Sequence, residues 1–191
     1  MGRGSVSRHA SSTAVGREAF AAVNADTANP GATAVGYRSK ATAQSGNATA
    51  VGREADASGN TSTAVGSQSK ATNTRSTVIG SDAITSLSNR STVIGSQASA
   101  ESALGGTAVG AGAKALHTNA TALGSDVVTE ANHSVALGPR HIHMQPVSVI
   151  PSAPAAGAVL YVRDVGGVMS LCCRIAGGAE IVIAPPPAPL T

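Results

Sequence analysis

Aromatic residues are almost absent from this sequence, which has 191 residues but no tryptophan, one phenylalanine and two tyrosines. Large aromatic and aliphatic side chains supply most of the buried area of an ordinary globular core. Charged residues are also scarce, at 12% of the chain, against roughly 25% in typical soluble domains. The hydrophobic residues are mostly alanine and valine spread evenly along the chain, so we expect a thin and repetitive core.

Long apolar runs are absent as well. No apolar stretch approaches the roughly 18 residues that a transmembrane helix requires, and Met1 to Ser12 contain no apolar segment of the secretory type. We therefore expect a protein that does not enter a membrane and is made in the cytoplasm without being secreted. The cysteines are Cys172 and Cys173. Adjacent strand residues point to opposite faces, so a disulfide between them would be strained, and we expect two reduced thiols with one packed inward.

Signals for catalysis and nucleic-acid binding are missing too. The net charge is +3 with scattered basic residues, and neither a continuous basic groove nor a set of stacking aromatics is present. The acidic residues are dispersed, and the pair Glu54 and Asp56 has strand spacing typical of solvated side chains. Phe20, Tyr37 and Tyr161 are too few to stack on sugars. We expect no enzymatic activity and no nucleic-acid partner.

What the sequence does contain is a repeat built around the tetrapeptide Thr-Ala-Val-Gly. This tetrapeptide or a close variant (TVIG, TALG or VALG) occurs nine times, ending at Gly16, Gly36, Gly52, Gly66, Gly80, Gly95, Gly110, Gly124 and Gly138, which are 14 to 20 residues apart. Small side chains follow at three and five residues after most of these glycines, as at Ser39 and Ala41, which is the spacing of a strand. Each repeat therefore predicts a short strand, a glycine corner, a second short strand and a polar loop, closing one coil of a narrow solenoid.

Strand alternation assigns the directions of the side chains. The central alanine of each tetrapeptide faces the inside of the coil, where only small residues fit, and the residue before the glycine faces outward. The outward residues form an apolar ladder with rungs about 4.8 Å apart. Its members are Val15, Val35, Val51, Val65, Ile79, Ile94, Val109, Leu123 and Leu137. Three copies packed around an axis would cover all three ladders, so we expect a homotrimer in preference to a dimer or a covered monomer.

These residues resemble the head repeats of trimeric autotransporter adhesins, which carry a corner of the AVG or AIG type followed by small residues at alternate positions. Thr49 to Ala57 is a close example, and the resemblance covers about residues 13 to 138. It implies a left-handed parallel β-roll in an intertwined trimer. The signal peptide, coiled-coil stalk and membrane anchor of such adhesins are not found in the sequence, whereas trimeric bacteriophage fibres and spikes carry the same repeat and need no signal.

The non-repeating parts complete the expected organisation. We predict an N-terminal attachment arm (1–12), a nine-coil solenoid (13–140), a linker (141–157), a small β-rich trimeric module of three strands (158–184) and a proline-rich tail (185–191). His141 and His143 replace the small residues that follow the last glycine. Three chains would present six imidazole nitrogens there, enough to bind iron or another first-row metal, and the segment is similar to the HxH signature of iron-binding phage fibres. An ordinary pair of solvent-facing histidines is the alternative.

The expected function follows from these parts. We predict a structural protein of a bacteriophage virion, a spike-like homotrimer that decorates and stabilises the capsid shell by binding the major capsid protein. A tail fibre or tailspike that binds a receptor and contacts tail proteins is the first alternative, and the head of a bacterial surface adhesin is the second. The scarcity of aromatics and the short chain favour decoration. Arg3 and Arg8 are the predicted contacts to acidic residues of the shell.

Overall fold

The structure is a computed structural model that describes residues 2–9, 11–22, 31–42, 47–101, 104–138, 146–147, 150–152, 154–166, 168–178 and 180–184. The chain divides into two units, Met1–Arg140 and His141–Thr191. All regular structure in the described residues is β-strand. The described residues contain no helix with the length and apolar character needed to cross a membrane. The predicted all-β class is confirmed.

The first unit is a parallel β-solenoid whose coils each contribute one short strand to each of two sheets. Sheet 1 contains the strands that end at the glycine corners: β2 (Thr13–Val15), β4 (Ala32–Val35), β6 (Ala48–Val51), β8 (Thr63–Val65), β10 (Thr77–Ile79), β12 (Thr92–Ile94), β14 (Thr107–Val109), β16 (Thr121–Leu123) and β17 (Val135–Leu137). Sheet 2 contains the strands next to the corners: β1 (Val6–Ser7), β3 (Phe20–Ala21), β5 (Lys40–Ala41), β7 (Asp56–Ala57), β9 (Lys70–Ala71), β11 (Ile84–Ser86), β13 (Ser99–Glu101) and β15 (Lys114–Ala115).

Equivalent residues of successive coils lie directly above one another. Thr33, Ala34 and Val35 pair with Thr49, Ala50 and Val51, and the same register continues through both sheets. Because each coil repeats the pattern of its neighbours, like side chains stack on like. The predicted parallel solenoid is confirmed.

The core is a single column of small side chains inside the coils. The central residue of the tetrapeptide is buried in eight coils, as are the small residues three and five positions after the glycines. Buried serines fit because the wall of the roll supplies acceptors: Ser39 Oγ donates to the carbonyl oxygen of Gly36 at 3.1 Å, and Ser69 Oγ donates to that of Gly66 at 3.0 Å. The largest fully buried side chains are those of Val78 and Val93, which replace alanine at the central position.

The corner glycines are required by two independent constraints. Gly66 has φ +133°, and a Cβ built on it would lie 2.4 Å from the carbonyl oxygen of Gly80 in the next coil. Two residues further, Gln68 has φ 58°, a left-handed conformation that costs a non-glycine residue roughly 1–2 kcal/mol. The corner is therefore tight, and it leaves no room for a Cβ between one coil and the next.

The N-terminal segment differs from the prediction of an arm over residues 1–12. Strand β1 pairs with β3 in sheet 2, with Val6 opposite Phe20, and the amide of Glu18 donates to the carbonyl oxygen of Arg3 at 3.0 Å. Residues 2–8 thus form half a coil, because Gly2 supplies a corner and Ser5 and Ser7 follow at three and five residues. A role of this segment in attachment stays a prediction.

The second unit contains a three-stranded antiparallel sheet, sheet 3, formed by β18 (Ala158–Val165), β19 (Val168–Ile175) and β20 (Glu180–Ala184). The three strands were predicted, although β18 continues through Asp164 and Val165, which the sequence places in a turn. Part of the predicted linker also belongs to this unit. The amide of Val147 donates to the carbonyl oxygen of Val162 at 2.8 Å, so this stretch lies along the free edge of β18.

Candidate interaction surfaces

The apolar ladder lies on the outer face of sheet 1, as predicted. Val15, Ile79, Ile94, Leu123 and Leu137 are 38% to 48% exposed, and Val35, Val51, Val65 and Val109 are half-buried. A column of threonines from Thr13 to Thr121 runs beside them on the same face. A continuous exposed apolar stripe on a soluble protein marks an interaction surface, and here it extends along all nine strands of sheet 1.

The most exposed large apolar residue in the described part of the chain does not belong to the ladder. Leu87 is 82% exposed and lies after β11 with φ 56°. It has no apolar column around it, because its counterparts in neighbouring coils are polar or small. Isolated exposed apolar residues are common on protein surfaces, whereas contiguous ones are not.

A second surface, the corner ridge, consists of the residues that directly follow the glycines. Its members are Arg3, Arg17, Tyr37, Arg53, Ser67, Ser81, Ser96, Ala111 and Ser125. The ridge is held by hydrogen bonds between coils, since the carbonyl oxygen of each member accepts from the amide two residues after the next glycine, at 2.8 to 3.0 Å from Arg3 to Ala111. Its first four members are basic or aromatic, and the rest are small.

Arginine side chains cover both aromatic rings of the described solenoid. The guanidinium carbons of Arg17 and Arg38 lie 5.2 and 4.9 Å from the centroid of the Tyr37 ring, and that of Arg8 lies 5.2 Å from the centroid of the Phe20 ring. These distances are within the range of cation–π interactions. The rings are thereby engaged with protein groups, which is unfavourable for stacking on a sugar.

Glu18 ties two of these arginines together. Its carboxylate accepts from Arg38 Nε at 2.6 Å and from Arg17 Nε at 3.1 Å. The hydrogen bond from Arg38, followed by that from Arg17, lowers the pKa of Glu18 below its usual value. The group keeps its charge at neutral pH, but it neutralises only one of the two arginines that it contacts.

Charge is distributed unevenly along the chain. Residues 1–53 contain six of the thirteen basic residues and two of the ten acidic ones, whereas residues 54–138 contain four basic and six acidic residues. The N-terminal end of the solenoid is therefore basic, and its remaining length is acidic. Arg3 and Arg8, the predicted attachment residues, are exposed at the basic end.

Glu54 and Asp56, the acidic pair with strand spacing, both alternate outward from the buried Ala55 and Ala57. Glu54 lies at a corner with φ 58° and accepts from Gln68 Nε2 at 3.1 Å. Asp56 lies in β7 between Lys40 and Lys70 of the adjacent strands. Among the described residues, no group of three or more His, Cys, Asp or Glu side chains is placed to hold a metal ion. His141 and His143, the predicted metal ligands, lie outside the described residues.

Sheet 3 carries one compact polar cluster. Glu180 accepts from Tyr161 Oη at 2.6 Å and from Arg163 Nε at 2.7 Å, and Arg163 Nη2 donates to its second oxygen. The hydrogen bonds from Arg163 and then Tyr161 lower the pKa of Glu180 to about 2. The same contact to Glu180, together with burial, raises the pKa of Tyr161. Tyr161 is 3% exposed, so this cluster is an internal support of the sheet.

The comparisons with known proteins agree with this geometry. A family model described as YadA head domain repeat (2 copies) matches residues 29–55, 43–68, 57–83 and 102–126. These two stretches of the solenoid are similar to YadA head domain repeats. The first three matches begin 14 residues apart, which is one coil of the solenoid, so the YadA head repeats coincide with the structural repeat. A search of curated proteins finds no match to the chain.

Proposed function

We propose that this chain is a homotrimeric structural protein that decorates the shell of a bacteriophage, made in the host cytoplasm and incorporated into the virion without secretion. The observation that carries the proposal is the apolar ladder on sheet 1. YadA head repeats fit an adhesin-like or fibre-like trimer, and three ladders facing one axis would remove the apolar stripe from water. In this role the chain needs no catalytic group, and we propose that it is not an enzyme.

Covering the ladder would contribute favourably to association. Fully burying a Val, Leu or Ile side chain contributes roughly 1.5–3 kcal/mol, and about two-fifths of each exposed rung remains to be covered. Each of these five exposed rungs is then worth about 1 kcal/mol, and the four half-buried valines contribute less. Three ladders would together contribute on the order of 15 kcal/mol, which is comparable with the roughly 4–15 kcal/mol of lost freedom that each association step costs.

The trimer is tested by placing a charge on one rung. Ile79→Asp would put three carboxylates into the proposed interface, where an unpaired buried charge costs about 3–5 kcal/mol. Leu87→Asp is the matched control, because it adds the same charge to the most exposed apolar residue of the neighbouring loop. Sedimentation should give a trimer for the natural protein and for Leu87→Asp, and dissociation for Ile79→Asp. Monomers in the natural protein, or a trimer in all three, would contradict the ladder as the interface.

The basic end of the solenoid supports attachment to an acidic protein surface. Arg3, Arg17 and Arg53 lie on one ridge, and arginine pairs with carboxylates through its forked donors. The aromatic rings at this end are covered by arginine side chains, which leaves them poorly placed to stack on a carbohydrate. Each exposed pair contributes little alone, but a trimer repeats the basic end three times and gains avidity.

Attachment is tested by binding the purified trimer back to particles from which it has been stripped. Arg3→Gln combined with Arg8→Gln should lower occupancy, and the loss should resemble the effect of added salt on the natural protein. Arg75→Gln combined with Arg90→Gln is the control, since both residues are exposed but lie in the acidic part of the solenoid. Equal occupancy for the two double variants would exclude the basic end as the contact.

Copy number separates decoration from the first alternative. A shell-decorating trimer should be present in tens to hundreds of copies on each particle, because it binds a site that the shell repeats. A tail fibre or tailspike that recognises a receptor would be limited to about a dozen copies, as expected for a closed symmetric tail assembly. Quantitative mass spectrometry of purified particles measures this number, and a tail-level count would replace decoration by the fibre role.

The head of a bacterial surface adhesin is the second alternative, and the match to YadA head repeats is the observation that favours it. In that case the protein should be found on the surface of cells that express its gene without any phage particle. Immunolabelling of intact cells, compared with particles purified from lysates, distinguishes the two locations.

A further inference from the structure

The two faces of sheet 3 differ sharply in burial. One face, the covered face, carries Tyr161, Ser170 and Cys172, which are 3%, 1% and 0% exposed. Arg174 Nη1 donates to the carbonyl oxygen of Pro151 at 2.9 Å, which ties the preceding segment to the sheet. Burial raises the pKa of the Cys172 thiol. The covered face is therefore a small core within the second unit.

The opposite side, the bare face, is apolar and exposed. Leu160, Cys173 and Ile181 lie directly opposite one another across the three strands, and Leu160 and Ile181 are 50% and 48% exposed. Met169 and Ile175, at alternate positions from Cys173 on β19, are 53% and 38% exposed. A contiguous apolar face that is open to water marks an interaction surface.

We infer that the bare face packs against the bare faces of two further copies of this chain, so that sheet 3 forms its own three-fold contact. This inference rests on the proposed trimer of the solenoid. A solenoid trimer tethers three copies of sheet 3 through the residues that precede Pro146 and holds them at an effective concentration of about a millimolar. At that concentration, identical apolar faces are the partners that each copy meets most often.

The composition of the bare face favours a copy of itself over a charged partner. Its central row, Leu160, Cys173 and Ile181, contains no carboxylate, ammonium or guanidinium group. Among the described residues of the three strands, Asp164 is the one acidic residue that alternates onto this side, and it lies at the end of β18. Apolar surface that lacks charge is best covered by equally apolar surface.

Cys173 provides a direct test, because it would lie close to Cys173 of another copy. Packed sheets are about 10 Å apart, so a bis-maleimide of about that reach should join two chains through Cys173. Cross-linking should yield covalent dimers at a rate that does not depend on protein concentration, since the reaction occurs within one trimer. Each trimer has one accessible thiol per chain, so covalent trimers are not expected.

The variants are matched to this geometry. Cys173→Ser should abolish the dimer, whereas Cys172→Ser, which changes the adjacent buried thiol, should retain it. Leu160→Asp places a charge opposite Cys173 and should slow cross-linking about tenfold, because the tether alone remains to hold the thiols near each other. Leu87→Asp in the solenoid should leave the rate unchanged.

Sedimentation measured on the same samples separates the two proposals. A protein that sediments as a trimer but gives no Cys173-dependent dimer, or gives it only in proportion to concentration, would refute the contact through the bare face and leave the solenoid trimer in place. A protein that sediments as a monomer would overturn the proposed trimer and this inference with it.

Discussion

Replacing a corner glycine by alanine is the most direct perturbation of the solenoid. Gly80 has φ +146°, and a Cβ at this position would lie 2.2 Å from the carbonyl oxygen and 2.5 Å from the carbonyl carbon of Gly95. The coils cannot absorb such contacts by moving a side chain, because both atoms belong to the backbone. The two coils must separate locally by about 1 Å to restore ordinary van der Waals distances.

The cost follows from the strain and from the hydrogen bonds that this separation breaks. A non-glycine residue in this region of φ costs about 1–3 kcal/mol. The amides of Gly95 and Gln97 donate to the carbonyl oxygens of Ile79 and Ser81 at 2.8 and 2.9 Å, and each bond contributes about 1 kcal/mol. Gly80→Ala should therefore destabilise the solenoid by about 4 kcal/mol, which lowers Tm by about 8–16 °C for a unit of this size.

Two other glycines separate the strain from the steric clash. Gly4 has φ +73°, but its nearest neighbour would be 3.6 Å from a Cβ, so Gly4→Ala should cost only the strain, about 1–2 kcal/mol. Gly138 lies outside the left-handed region, and its nearest contact would be 3.4 Å, so Gly138→Ala should be nearly neutral. Calorimetry should show the largest fall in Tm for Gly80→Ala, a smaller one for Gly4→Ala and the smallest for Gly138→Ala. Equal Tm values for Gly80→Ala and Gly138→Ala would show that close stacking of the corners does not limit stability.

Three further predictions concern polar groups. The pKa of Glu180 is about 2 in the folded protein and 4.5 ordinarily, so its contribution to stability is present above pH 4.5 and is lost as the pH falls toward 2. Tyrosine near-UV circular dichroism should report this loss. In Glu180→Gln, the signal should depend less on pH over this range. Asn89 Oδ1 accepts from the Thr74 amide at 3.0 Å, so Asn89→Ala should cost about 1 kcal/mol in a denaturant titration, while Asn89→Asp, which keeps the acceptor, should cost less. If His141 and His143 bind a metal, elemental analysis should find about one first-row ion per three chains, and replacing both by alanine should remove it. A natural protein purified without metal would contradict the metal site and favour an ordinary pair of histidines.

The repeat explains why so much of the solenoid could be predicted. Each coil has the same neighbours above and below, so the environment of Ala50 is nearly that of Ala34 or Ala64, and a pattern of small and apolar residues is sufficient to assign inside and outside. The outward direction of Ile79 and the inward direction of Val78 follow from the same alternation. The half coil at Gly2 was missed because it lacks the tetrapeptide, although Ser5 and Ser7 carry the second signature.

The candidate surfaces were only partly predictable. The outward direction of each ladder residue can be predicted from the alternation within its own repeat. The covering of the Tyr37 ring cannot, because Arg17 comes from the coil before it and Arg38 from its own corner.

The sequence by itself determined the period, the thin alanine core, the outward ladder and the positions of the three C-terminal strands, because these depend on local alternation and on identical neighbours. Tertiary structure alone decided which face of sheet 3 is covered. Leu160, Cys173 and Ile181 share a row through the antiparallel register, and Cys172 is buried rather than Cys173. Local alternation places the two cysteines on opposite faces but does not distinguish those faces, since burial depends on which one the rest of the unit packs against.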